Sequence, residues 1–274
     1  MQFNGPSAEL GHTVILAYPD DTRLAGYRAG LELWRRLDGS SSGAAAGSVH
    51  QCSIGAKSVQ VVQPQNVPQI AVPFDREDED AGSKVPVVFA TPSAHSELSF
   101  CFVSGLPAPE HVPELVDCII TYLEKHGVQR LLIPAAANIS GTKGDDQLWV
   151  ELHMSSAEQS KHLLADIPRI PVSAQTSDVV LSAVSNIGAM SAIDQVALLV
   201  HADKRPSGSG YRQTVGFGAE YVDESDTGIV DALVQALSLG VGAVDAAAVP
   251  GQLPVEAVRV RLDADCAGAE AIFG

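Results

Sequence analysis

The sequence predicts an α/β fold of three layers, with a mostly parallel central sheet and helices on both of its faces. Three observations carry this. First, the apolar run Leu98–Val103, the helical pattern Glu114–His126 and the apolar run Val128–Pro134 follow one another with short connections. That is a βαβ unit, and its two strands must lie parallel. Second, Val128–Pro134, apart from Gln129 and Arg130, and Val196–Val200 are apolar without alternation, as in strands buried on both faces. Third, Asp226–Leu239 sets Ile229, Val230, Leu233, Val234 and Leu237 along one face of a helix, with Gly240 placed to stop it. No segment repeats another, so residues 1–274 read as one domain.

The elements follow in order. Thr13–Tyr18 is a short apolar run closed by Pro19-Asp20-Asp21, a buried strand and its turn. Arg23–Leu37 is a helix with Leu24, Tyr27, Leu31 and Trp34 on one side and Thr22 as its cap. Residues 39–47 form a flexible Gly/Ser/Ala linker. Val49–Val62 alternates weakly and reads as a strand. Residues 64–84 form a second flexible loop, Pro-rich and then acidic through Asp75, Glu77, Asp78, Glu79 and Asp80. Val85–Ala90 and Leu98–Val103 are strands.

In Glu114–His126, Leu115, Ile119, Tyr122 and Leu123 recur at helical spacing, and Gly127 ends the helix. The strand after it opens into a small-residue loop, Ala135–Asp146. That position, beyond the carboxyl end of a strand, is where α/β sheets build their sites. Ser156 with Gln159 makes a capping box for a short helix that ends before Pro168. Val179–Val184 and Val196–Val200 read as two strands, with Asn186–Asp194 as turn or helix between them. Pro206–Gly218 is a glycine-rich loop. Val255–Leu262 alternates and reads as an edge strand, and residues 263–274 form a tail.

Composition narrows the function. Hydrophobic residues make up 46% of the chain, enough for a large core. Against 17 Lys and Arg stand 33 Asp and Glu, a net charge of −16. Nucleic acid and anionic membranes demand the opposite sign, so neither is the expected partner. A basic protein surface or a small molecule suits the charge better. The four cysteines, Cys52, Cys101, Cys118 and Cys266, form no CxxC pair. Met1–Leu10 is too polar for a signal peptide, and no apolar run reaches membrane-spanning length. The expected location is the cytoplasm, with the nucleus as a second compartment.

The chemistry-bearing motifs are weak. Gly39-Ser40-Ser41-Ser42-Gly43 has the letters of a nucleophile elbow but sits in the linker, without the strand before it that such a turn needs. Gly240-Val241-Gly242 lacks the third glycine of a dinucleotide site. Gly141-Thr142-Lys143-Gly144 lacks the hydroxyl that follows the lysine in a phosphate loop. No HxH or HExxH marks a metal, so neither a metal nor a cofactor is expected. His201, Asp203 and Lys204 stand at the end of a strand, where an acid/base set could form. With the loop after Pro134 they support a runner-up reading, an enzyme of phosphorylase or hydrolase type. The first reading is a binding or assembly protein. Its candidate residues are the last three, Ile272, Phe273 and Gly274, an apolar residue, a ring and a carboxylate that together can plug a pocket.

The order of these parts resembles the proteasome assembly chaperone family, most closely chaperone 1 of the fungal type. The resemblance spans roughly Leu98–Gly274: the βαβ unit through Tyr122-Leu123 and Arg130–Pro134, then Val196–Val200 with the loop Pro206–Gly210, the helix Asp226–Leu239 and the apolar-aromatic-X tail. It implies a nucleoside-phosphorylase-like α/β fold and a chaperone without enzymatic activity. It also implies pairing with proteasome assembly chaperone 2 and action on the core-particle α-ring. Members end in hydrophobic-Tyr-X, which enters a pocket between α subunits where the carboxylate meets a lysine. Here Ile272 takes the hydrophobic position, Phe273 the Tyr position and Gly274 the carboxylate. Phe for Tyr keeps the ring and loses the hydroxyl.

Overall fold

The computed structural model describes residues 1, 3–5, 7–19, 24–38, 47–55, 60–61, 84–137, 139–140, 148–153, 169–171, 175–176, 178–201 and 224–241. In chain order these form β1 (Phe3–Asn4), β2 (Thr13–Ala17), α1 (Ala25–Asp38), β3 (Ser48–Gly55), β4 (Gln60–Val61), β5 (Lys84–Thr91), β6 (Leu98–Val103) and β7 (Gly105–Leu106). A single 3₁₀ turn (Pro109–His111) leads into α2 (Val112–Lys125), followed by β8 (Arg130–Ala137), β9 (Ile139–Ser140), β10 (Leu148–His153) and β11 (Gln175–Thr176). Last come α3 (Val179–Gly188), β12 (Asp194–His201) and α4 (Glu224–Val241).

Eight strands make the central sheet, in the order β1-β3-β5-β6-β2-β8-β12-β10. Its centre, β6-β2-β8-β12, is parallel. Both flanks are antiparallel, through β1-β3, β3-β5 and β5-β6 on one side and β10-β12 on the other. The sheet is therefore mixed, where the sequence predicts mostly parallel. One cause is connection length: residues 92–97 between β5 and β6 are too few for a crossover, so the strands must turn back on each other.

Because side chains alternate along a strand, each central strand supplies both cores. Leu16, Val103, Ile133 and Leu199 face α2 and α3. Ile15, Phe102, Leu132 and Leu198 face α1 and α4. The three layers are as expected, and the apolar runs lack alternation because both sides are covered.

Several expectations need correction. Val179–Val184 is not a strand but the start of α3. Asp178 Oδ1 accepts the Leu181 N–H at 2.8 Å and caps the helix. Val180, Leu181, Ala183 and Val184 are then buried while Val179 is exposed. Ala135–Ala137 does not open a loop; it continues β8, paired with Leu199–His201. The strand β10 was not anticipated. Val49–Val62 divides into β3 and β4, and β4 pairs with β7 outside the main sheet. Gly240 does not stop α4, which runs to Val241; a Cβ at Gly240 would come 3.4 Å from Leu132 Cδ1. Gly127, at φ +73°, does follow the end of α2 as expected. Of the expected loops 39–47 and 64–84 only Gly47 and Lys84 are described, and Lys84 already begins β5; the cap Thr22, the helix after Ser156, the Gly-rich loop Pro206–Gly218 and the edge strand Val255–Leu262 lie outside the described residues.

The helix α1 begins at Ala25, after Leu24 at φ +59°, and lies very close to the sheet. A Cβ at Gly26 would collide with the carbonyl oxygen of Pro134 on β8, and one at Gly30 would come 2.9 Å from Ala17 Cβ on β2. Glycine inside a helix normally costs about 1 kcal/mol against alanine, so Gly26→Ala should stabilise if the site were open. The collision predicts the reverse, a loss of about 1–3 kcal/mol by overpacking. Gly55→Ala on β3, with nothing within 4 Å of its Cβ, should be neutral or mildly stabilising. Urea unfolding of the two variants checks the contrast.

Candidate functional site

Open α/β sheets bind ligands beyond the carboxyl ends of their parallel strands, where neighbouring strands send their connections to opposite faces. Here every parallel pair of the centre meets that condition, and β2 and β8 are the pair whose strands separate. Their registered pairing stops at Ile15↔Leu132, although β2 continues to Ala17 and β8 to Ala137. From β2 the chain passes to α1 on one face, and from β8 it reaches α3 on the other. The crevice this opens is occupied by the first turn of α1. Gly26 rests on Pro134 and Ala135, and Ala25 and Ala135–Ala137 are all buried. On the opposite face, beneath α2 and α3, a cavity of about 10 Å³ is lined by Leu16, Tyr18, Val103, Leu115, Ile119 and Val184 among others. That is room for about one water at most, in walls that are almost wholly apolar.

Of the acid/base candidates, His201 is described, and Asp203 and Lys204 lie outside the described residues. The structure does bring His201 to the segment after Pro134. The Ile139 N–H donates to His201 Nδ1 at 3.1 Å. In turn β9 pairs with β11, Ile139 opposite Thr176, and the Asp178 N–H donates to Thr176 Oγ1 at 3.2 Å. Asp178 is already spent on capping α3. A neutral His201 must therefore carry its proton on Nε2, which fits a donor and not a general base.

Other reactive groups are likewise subdued. Burial pushes the Cys101 thiol far above its ordinary range, and raises Cys52 and Cys118 too. None is then a thiolate nucleophile at neutral pH. Among the described residues no three His, Cys, Asp or Glu side chains converge to hold a metal. None of the helices searched there is long and apolar enough to cross a membrane. Among the described residues the exposed large apolar side chains are Met1 before β1, Val49 on β3, Val179 on α3 and Met190 just after α3. The nucleophile-elbow letters at Gly39–Gly43 and the tail residues Ile272, Phe273 and Gly274 lie outside the described residues.

No family model and no curated protein matches the chain. Solved structures do. The Pyrococcus furiosus protein PbaB, an archaeal proteasome activator, superposes with a TM-score of 0.57 at 13% identity, over 99% of this chain and 97% of that one. P. furiosus PbaA, an archaeal homolog of proteasome-assembly chaperone, gives 0.54 at 17% identity, over 99% and 93%. A PAC2 family protein from Streptomyces avermitilis gives 0.50 at 12%, over 92% and 94%. This chain shares their fold. At such identities the likeness is one of architecture.

At the same edge the Tyr27 phenol lies 3.1 Å from Ser104 Oγ. Burial raises its pKa above the ordinary 10.0, the bond to Ser104 opposes this, and Cys101 adds to it. Because the folded value is the higher one, the neutral phenol's contribution is fully present below pH 10 and is lost as pH rises through the folded pKa. Tyr27→Phe should cost about 1 kcal/mol at neutral pH, through loss of one hydrogen bond. Above pH 10 it should narrow the gap to wild type. It will not abolish the alkaline loss, because burial raises Tyr122 in the same direction. Urea midpoints at both pH values check this.

Proposed function

We propose that this chain is a proteasome-assembly chaperone, one half of a heterodimer with proteasome assembly chaperone 2, acting on the core-particle α-ring. The observation that carries the reading is the match of fold over nearly the full length of both chains, to PbaB and PbaA, which are described as a proteasome activator and a proteasome-assembly chaperone homolog. The filled crevice supports it as well, since a protein that turns over a small molecule needs an open pocket there. A nucleoside-phosphorylase-like character of the fold, a cytoplasmic or nuclear location, and the tail as docking element belong to the same proposal. In it Ile272 and the Phe273 ring fill an apolar slot between α subunits, and the Gly274 carboxylate pairs with a lysine.

Capture from native cells, read by mass spectrometry, should return α subunits and a single related partner. PbaB favours a second reading, activation of the finished particle. Adding the heterodimer to mature core particles separates the two: assembly requires faster α-ring formation, activation requires faster peptide cleavage. Deleting Ile272–Gly274 should leave folding and dimer formation intact, because chain ends support little of the core. It should weaken α-subunit binding about tenfold or more, as loss of a buried ring and a paired carboxylate implies. Phe273→Ala should reproduce most of the loss, Phe273→Tyr should keep or strengthen binding, and one residue added after Gly274 should weaken it. Unchanged affinity in the deletion overturns docking by the tail.

The chaperone reading also predicts no turnover of nucleosides or simple esters above background. Turnover that disappears in His201→Ala or Lys204→Ala would replace it with the enzyme reading.

A further inference from the structure

We propose that His201 is a tautomer-locked hydrogen-bond donor at the carboxyl edge of the sheet, and that its Nε2–H receives the carbonyl oxygen of an amide. The inference does not depend on the assembly role. It starts from the ladder between β8 and β12, which runs parallel from Arg130↔Asp194 to Ala137↔His201 and ends there. Two positions further on, at Ile139, the chain pairs as β9 with β11. At this fork Ile139 is buried, with 1% of its surface exposed, and a buried amide needs an acceptor. The imidazole supplies it, with Nδ1 3.1 Å from the Ile139 nitrogen.

A backbone N–H can only donate, so Nδ1 can only accept. The proton of the neutral ring then resides on Nε2. Both the tautomer and the orientation of the ring are thereby set by the fold. The ring is partly exposed, and Nε2 forms no hydrogen bond among the described residues. What the structure leaves is one oriented N–H on a partly exposed ring, at the edge where α/β sheets meet their ligands. It cannot serve as a base or a metal ligand without first losing that proton. A neutral donor fits a neutral acceptor. On a chain of net charge −16, long-range repulsion disfavours a carboxylate and leaves the amide carbonyl as the better match.

The test uses the full chain, labelled with 15N, with N-methylacetamide and sodium acetate as separate probes. Long-range 15N–1H spectra should show the Nε2–H tautomer for His201. N-methylacetamide should shift the Nε2–H resonance saturably, and acetate should do so less. His201→Asn keeps an acceptor at the δ position and removes the ε donor. It should hold Ile139 amide exchange within about twofold of wild type and abolish the probe response. His201→Gln moves the polar group outward and should speed Ile139 exchange roughly tenfold, as expected for one lost hydrogen bond. An Nδ1–H tautomer, no saturable shift with N-methylacetamide, or an unaltered response in His201→Asn overturns the proposal. A response to acetate alone overturns the amide assignment and makes the edge an anion site.

Discussion

The contact of Gly26 with the carbonyl of Pro134 sets how close α1 lies to the sheet, and much else depends on that distance. A helix normally stands off a sheet by the thickness of its side chains. At Gly26 and Gly30 there are none, so the α1 backbone reaches β8 and β2 directly. Close approach buries Ala25, Ala29 and Leu33, and lets Trp34 meet Phe100 edge to face at 5.6 Å. Pro134 is compatible with its strand because β2 has stopped pairing with β8 two residues earlier, at Leu132, so the missing N–H breaks no bond to β2. One glycine and one proline, 108 positions apart, together close the crevice that the topology opens.

The opposite layer is held by different means. Tyr122 on α2 stacks on Phe89 of β5 at 5.1 Å, on His126 at 4.0 Å and against Phe3 of β1 at 4.2 Å. Its hydroxyl accepts the Ala8 N–H at 3.2 Å, and His126 Nε2 lies 3.0 Å from Ser7 Oγ. A two-residue strand such as β1 is marginal by itself. The aromatic cluster and these two polar contacts are what keep the first residues over the flank of the sheet. So the parallel centre is stabilised by burial on both faces, while the antiparallel flank relies on an aromatic clamp.

The βαβ unit and the long apolar strands were legible because periodicity and connection length are local properties. The misreading of Val179–Val184 shows where locality fails: a run of β-branched residues fits a strand or a buried helix, and only the cap at Asp178 decides between them. That cap was visible in the sequence. So was the alternation of Leu148, Val150 and Leu152, which marks β10. The i, i+4 spacing of Gly26 and Gly30 was visible too, but spacing alone does not tell which strand a small-residue stripe will meet. The link from His201 to Ile139 spans 62 positions and leaves no trace in either neighbourhood. Of the runner-up site, the sequence named His201 and the segment after Pro134, and the fold brings the two together through the Ile139 N–H on His201 Nδ1.

These features bear on function together. A frame that could house a ligand crevice has filled it with main chain, and the buried thiols are held protonated. Among the described residues at the edge, Asp178 caps α3 and His201 Nδ1 takes the Ile139 N–H where the β8–β12 ladder ends. Among the described residues, the first turn of α1 takes up the space between β2 and β8 that a sequestered pocket would need. Under the proposed assembly role the task is recognition at the surface, where a net charge of −16 steers toward basic partners and away from acidic ones. Recognition of that kind requires a rigid platform more than a reactive one. The tight seating of α1 on β2 and β8 provides the rigidity, because a helix packed on backbone cannot shift without losing that contact.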